Sequence, residues 1–341
     1  MKVLLFQVDG KLPNFALMRL SAYHKARGDN VTLLGSINDI WLAGDFDKVY
    51  ASSIFVTSKP KREKFAERYP DALTGGDGYK PIWNDLTVIG RNLGSNLREV
   101  ITEMNPDDLK PDYALYPWFK SSIGYSQRGC RLDCGFCRMK TREGEARTVS
   151  TIRNIWRGWP QPRNIHLLDN DFFGQAEWKA QLEEAISYGL KVCFNQGINI
   201  RLIDEEQAHV LSRVFYADDS FKTRRLYTAW DNLGDERAFK AGVALLAKAG
   251  IPASHLMVYM LVGFRKGETM AEVFHRFNEM VALGCRPYPM VFDPERKDLK
   301  KFQAWAILRH YQTVPWKDYD PAGFKSSLIA EEGPEQQALF E

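Results

Sequence analysis

The chain has 341 residues, 45% hydrophobic and 26% charged, and its 46 Lys and Arg against 43 Asp and Glu leave a formal charge of +3. That length suffices for two domains, or for one large α/β domain with an appendage, each with a full apolar core. Charge so close to balance does not by itself imply a protein that coats nucleic acid, and it leaves room for a local basic patch.

The first predicted strand runs from Lys2 to Val8, followed by a turn at Asp9-Gly10 and an amphipathic helix from about Asn14 to Ala26 that ends at Gly28-Asp29-Asn30. Val31 to Leu34 reads as the second strand and Lys48 to Val56 as the third, with a helix after Pro60. This alternation predicts a small doubly wound, flavodoxin- or Rossmann-like domain over residues 1–105. Thr74-Gly75-Gly76-Asp77-Gly78 is rich enough in glycine to cradle a phosphate, but the fingerprint spacing is absent and a plain turn is expected. Pro81 to Pro117, with Pro106 and Pro111, marks the boundary, placing a linker at 106–118.

Strand-like runs then recur at Ser122–Tyr125, Asn164–Leu168, Lys191–Phe194, Leu226–Ala229, Met257–Val262 and Pro289–Phe292, with helical segments such as Ala176–Tyr188 and Ala238–Ala249 between them. Six strands alternating with helices predict a partial (β/α)6 TIM-like barrel over 119–320, followed by a tail at 321–341. Phe302 to Tyr311 reads as a closing helix. In such a fold chemistry gathers at the carboxyl ends of the strands.

One such end carries Cys130-Arg131-Leu132-Asp133-Cys134-Gly135-Phe136-Cys137. Three thiols so close together on one short loop point to a metal or iron–sulfur site. A purely electron-carrying cluster normally has four cysteine ligands, so a triplet with no obvious fourth leaves one iron of a 4Fe–4S cluster open. A zinc site needs a fourth Cys or His nearby, and the nearest downstream histidine is His166. Cys193 and Cys285 stand alone in apolar surroundings and read as buried, inert thiols.

The Cys130, Cys134, Cys137 spacing resembles the signature of radical S-adenosylmethionine enzymes, and the resemblance covers about residues 113 to 315. It implies an enzyme in which a 4Fe–4S cluster on these cysteines binds S-adenosylmethionine through its unique iron. One electron, from a reductase such as flavodoxin or ferredoxin, then yields methionine and a 5′-deoxyadenosyl radical that abstracts hydrogen from a substrate the sequence does not name. By the same resemblance Phe136 lies beside the adenine. Asp169 is the first choice to receive the methionine amine, with Asn170 and Asp171 behind it. The segment from Asn195 and Gln196 through Asn199 to Arg201 meets the ribose and carboxylate. Gly263 packs near adenine, and Asp231 is a candidate for ribose or substrate, or for a helix cap.

The amino-terminal domain is similar to the cobalamin-binding domains that precede many members of this family. Its Asp9-Gly10-Lys11-Leu12-Pro13 loop lacks the histidine of the Asp-x-His-x-x-Gly element, so cobalamin would bind without its usual lower ligand. A cobalamin-dependent methyltransferase and a non-catalytic, metal-stabilised nucleic-acid-binding module stay open as alternatives. Arg128, Arg131, Arg138, Lys140 and Arg142 crowd the loop, where they offset cluster charge or face an anionic partner such as nucleic acid. Trp156, Trp159, Trp305 and Trp316 are too dispersed for a stacking platform. The longest apolar run, Met257 to Phe264, is far shorter than the roughly 20 residues of a membrane helix. With an opening unlike a signal peptide and with reduced thiols, a cytoplasmic location and no membrane partner are expected.

Overall fold

Alternating apolar strands and amphipathic helices produce an α/β architecture built on parallel sheets. The computed structural model describes residues 1–76 and 110–321. Asp77 and Gly78 of the glycine-rich turn, residues 81–109 of the expected boundary stretch and residues 322–341 of the expected tail lie outside the described residues. The chain divides into two compact units, Met1–Lys120 and Ser121–Glu341.

In the first unit β1 (Lys2–Gln7), β2 (Asn30–Leu34), β3 (Lys48–Ser52) and β4 (Leu73–Gly75) form one parallel sheet in the order β2-β1-β3-β4. Val3, Leu4, Leu5 and Phe6 of the central strand are all buried, as expected of a parallel strand covered on both faces. Helix α1 (Phe15–Ala26) starts where Asn14 accepts from Leu17 N at 3.1 Å, and the Asn14 amide donates to Ser52 Oγ at 2.8 Å, tying the cap to the sheet. Helix α2 (Lys59–Arg68) carries Pro60 in its first turn and stacks Phe65 on Phe6 at 4.7 Å. The third strand is shorter than its sequence suggests. Beyond Ser52 the Asp9 carboxylate takes the N–H groups of Ile54 (2.7 Å) and Phe55 (3.2 Å), and both side chains turn out to solvent. Gly76, at φ +92°, packs so closely that a Cβ would lie 2.2 Å from the Ser53 carbonyl oxygen, which accounts for that glycine by backbone packing. The described part of the 106–118 stretch packs on this unit: Asp112 accepts from Ser21 and pairs with Lys25, and Tyr116 donates to Gln7.

In the second unit β5 (Ser122–Gly124), β8 (Asn164–Leu167), β9 (Lys191–Phe194) and β10 (Phe215–Tyr216) form a parallel sheet in the order β10-β9-β8-β5. A second parallel sheet joins β11 (Leu226–Ala229), β12 (Leu256–Val262) and β13 (Arg286–Val291) in chain order. The sheets meet where Ile198 N donates to Tyr227 O at 2.8 Å, just past Gly197, whose Cβ position would lie 2.8 Å from that oxygen. Helices α5 (Trp178–Ser187), α6 (Glu205–Arg213), α7 (Glu236–Lys248) and α8 (Met270–Ala282) fill the crossovers. Capping boxes fix the starts of α6 (Asp204 with Gln207) and α8 (Thr269 with Glu272). Leu256, Val258, Met260 and Val262 of β12 are wholly buried, while Met257, Tyr259 and Leu261 between them face the opposite side.

The last helix departs from expectation. Helix α9 spans Lys297–Ile307, not Phe302–Tyr311, because Leu299, Phe302, Trp305 and Ala306 form its buried stripe while the lysines of its first turns face outward. Arg309, at φ +62°, ends it. Trp305 and Trp316 belong to an aromatic cluster with Phe274 and Phe302, which is a packing role. No described helix is long and apolar enough to cross a membrane.

Candidate cofactor site at the cysteine loop

The cysteine loop hangs from a closed neck. After β5 the chain does not run straight into the loop but first makes a short strand, β6 (Gln127–Arg128), antiparallel to β7 (Arg147–Thr148), and the loop lies between them with helix α3 (Met139–Glu143). Cys130 N donates to Gly144 O at 3.2 Å. Gly129, at φ +83°, allows this crossing, since a Cβ there would lie 2.1 Å from Glu145 O.

Side chains from the end of β8 brace the neck. Asp169 is buried and accepts from Ser126 N at 2.8 Å, from Gln127 N at 3.1 Å and from the Ser126 hydroxyl. Burial pushes its carboxyl up to about 7 against the opposing pull of those bonds. Asp171 forms a two-pronged pair with Arg131, Nε to Oδ2 at 2.8 Å and Nη2 to Oδ1 at 2.9 Å, and also takes Arg131 N at 3.1 Å. Glu143 takes Gly129 N at 3.1 Å and the Asn170 amide at 3.0 Å, and pairs with Arg128 at 2.9 Å. The acidic run at the end of β8 therefore holds the loop, and both Asp169 oxygens are turned inward to do so. Lys140 pairs with Glu145 at 3.0 Å, so Arg128, Arg131 and Lys140 each have an acidic partner, that of Arg131 coming from the end of β8.

The three thiols are partly buried. Burial raises the Cys130 thiol, opposed by the Leu132 N–H at 3.4 Å, and the charges of Asp171, Cys137 and Cys134 raise it further. Burial also raises the Cys134 thiol, while a bond and the positive charge from Arg201 pull it down. The thiols are thus close enough to sense one another. Among the described residues, no group of three or more His, Cys, Asp or Glu side chains is gathered tightly enough to hold a metal ion. Cysteine thiolates are the protein ligands of iron–sulfur clusters, so the donor type of this loop suits such a group.

Beside the thiols a small cleft of about 20 Å³ is lined by Phe136, Asp231, Asn232, Leu261, Phe264 and Glu268. Phe136 meets Phe264 edge-on at 5.5 Å. Asp231 accepts from Leu261 N at 2.9 Å, and burial raises its carboxyl. Arg201 bonds to Cys134, pairs with Asp235 at 2.6 Å and donates Nε to Asn199 Oδ1 at 3.4 Å. The buried Asn199 Nδ2 has no partner. Gly263 donates to Glu268 Oε2 at 2.6 Å; its φ of +80° favours glycine, and a Cβ there would lie 2.6 Å from Leu299 Cδ1.

The structure brings Cys134, Phe136, Arg201 and Asp231 to one neighbourhood. It turns Asn195 away toward His166 at 3.1 Å and leaves Gln196 exposed. A residue that belongs to no recognisable motif, Arg276, also supports the site. Fully buried on α8, it donates to the carbonyls of Trp230 (3.1 Å), Asp231 (2.8 Å) and Leu261 (3.0 Å) and to Glu268 (2.5 Å). Its signal was available: a charge sits at the apolar spacing Val273, Arg276, Phe277, Met280.

No protein-family model matches the chain, and no curated protein sequence matches it.

Proposed function

We propose that the chain is a radical S-adenosylmethionine enzyme with a 4Fe–4S cluster on Cys130, Cys134 and Cys137. The observation that carries this reading is the placement of the three-thiol loop beside the cleft of Phe136 and Asp231, at the carboxyl ends of parallel strands. The sequence of parallel strands β5, β8, β9, β11, β12 and β13, joined through Ile198 and Tyr227, supports a partial (β/α)6 barrel for residues 119–320. The parallel sheet of the first unit supports a doubly wound domain before it.

When bound and reduced, such a cluster supplies the electron that splits the sulfonium of S-adenosylmethionine. The chain's own residues bind and orient. Arg201 offers a guanidinium to the methionine carboxylate, and the unpartnered Asn199 Nδ2 offers a donor beside it. Asp231 faces the cleft as an acceptor for ribose hydroxyls, and Phe136 with Phe264 forms its apolar wall. Asp169, with both oxygens bonded to the neck, acts as a positioning residue for the loop. A cluster would take the thiols as thiolates, the form that the positive charge of Arg201 favours at Cys134. A flavodoxin- or ferredoxin-type reductase in the cytoplasm is the electron donor of this reading. His24, the histidine of α1, has both ring nitrogens engaged, with Asp29 at 2.7 Å and Tyr50 at 3.1 Å, which favours the reading without cobalamin.

Anaerobic reconstitution with iron and sulfide tests the cofactor. The proposal expects a brown protein with about four irons per chain, whose reduced-cluster electron paramagnetic resonance signal shifts when S-adenosylmethionine is added. A colourless protein holding one stoichiometric zinc would contradict it.

A further inference from the structure

At the amino ends of β11, β12 and β13, away from Phe136 and Asp231, a cleft of about 310 Å³ opens between Arg225, Ser254, Gly284, Arg286, Arg309 and Tyr311. Its three guanidinium groups arrive from three places: the residue before β11, the first residue of β13 and the residue that ends α9. Arg225 donates Nη1 to Ser254 O at 3.1 Å, while Arg286 and Arg309 make no side-chain hydrogen bond or ion pair among the described residues. Burial, then the positive charge of Arg286, and more weakly that of Arg309, hold the Arg225 guanidinium below its usual range, against the opposite pull of Tyr227 and Asp218. Cations crowded in this way repel one another and destabilise the fold unless an anion joins them.

Helix capping does not account for the cluster. Arginines that cap helices bond the free carbonyls of the last turn. Here the one such bond, from Arg225 to Ser254 O, caps the 3-10 turn Ala253–His255 and gives no such role to Arg286 or Arg309. Arg309 also holds a left-handed backbone at φ +62°, where glycine or asparagine would end a helix at lower cost. Cations continue along neighbouring strand starts, with Arg224 over the Tyr216 ring at 3.8 Å and Lys191 over Phe215 at 4.8 Å.

We infer that this cleft is a binding site for the phosphate group of an anionic ligand, held by Arg225, Arg286 and Arg309. Guanidinium forks match phosphate oxygens in pairs, and three converging on one space of this size suit a phosphate better than a single carboxylate. The phosphate belongs either to a compact phosphorylated molecule or to a nucleic-acid backbone.

Two probes separate these sources in the full-length protein: pyrophosphate by calorimetry, and a fluorescein-labelled single-stranded oligonucleotide by anisotropy at two salt concentrations. Saturable binding of at least one probe is expected, weakened at least ~10-fold in Arg286→Glu/Arg309→Glu and with a shallower salt slope. Arg309→Ala alone, at an exposed position, is expected to weaken it several-fold and serves should the double variant not fold. Lys179→Glu/Lys248→Glu changes net charge equally on exposed, ion-paired lysines and is expected to leave binding unchanged. Oligonucleotide binding that pyrophosphate displaces supports a compact ligand, and binding that resists displacement supports a backbone. Absence of saturable binding by either probe, or equal loss in the lysine control, overturns the inference.

Discussion

Arg276 donates to the carbonyl oxygen of Asp231 at 2.8 Å from the buried face of α8, so the cleft wall is set by a cation that never reaches the cleft. Its other bonds extend the brace to Trp230, Leu261 and Glu268, and Glu268 in turn takes Gly263 N. Replacement by Met removes one partner of a buried pair and leaves three carbonyls without this donor. The expected cost is about 3–5 kcal/mol, measured as a lower urea midpoint. A loss within experimental error would mean that the brace is dispensable.

Asp169 gives stability a particular pH dependence. Its folded value of about 7 lies above the unfolded carboxylate value near 4. Its contribution is therefore full below about pH 4, falls as pH rises through about 7, and then levels off. In Asp169→Asn this titration is absent. The stability of the natural protein relative to that variant should decline between those limits in paired urea titrations. A difference that rises with pH would show instead that the bonds from Ser126 and Gln127 outweigh burial.

Two glycines of the neck separate conformation from space. Gly129 and Gly144 both have positive φ, but a Cβ at Gly129 would strike Glu145 O at 2.1 Å, whereas at Gly144 it meets nothing within 4 Å. Gly144, at φ +79° and ψ −157°, lies in a region essentially confined to glycine, so Gly144→Ala should cost about 1–3 kcal/mol from backbone strain alone. Gly129→Ala should cost clearly more and should lower the iron retained after reconstitution. Equal effects on thermal midpoint and iron content would refute this distinction.

Arg201 should affect cofactor binding more than folding. Its charge lies next to Cys134, and Asp235 already holds it in place at 2.6 Å. Loss of a charge-assisted bond to the S-adenosylmethionine carboxylate costs about 1.5–3 kcal/mol, so Arg201→Ala should weaken binding by roughly 10- to 100-fold. Equilibrium dialysis of reconstituted protein measures this, with iron content as the control for an intact cluster.

The parallel strands were legible because apolar runs bounded by turns and separated by helical periodicity leave few alternatives. The sequence located α1 well, since Asn14 and Gly28 punctuate it. It misplaced α9, because Trp305 and Leu308 attract attention while the buried Leu299 sits among lysines. The ends of strands were harder: Asp9 caps the segment beyond β3 by a long-range contact that local pattern does not contain. At the candidate site, the three cysteines stand out by their spacing, and Phe136 only through the resemblance that the spacing carries. The division of labour at β8 could not, because the carboxylates of Asp169 and Asp171 look alike until the fold turns them to Ser126 and Arg131. Arg276 was visible as a charge in an apolar stripe but carried no chemical signature of its own.

The central claim is tested most directly by product formation. Reconstituted protein, given dithionite and S-adenosylmethionine under anaerobic conditions, should yield 5′-deoxyadenosine and methionine in equal amounts, quantified by liquid chromatography. Cys134→Ala should reduce the yield to background. Absence of 5′-deoxyadenosine from a preparation with a full complement of iron and sulfide, or undiminished formation by Cys134→Ala, would contradict the account.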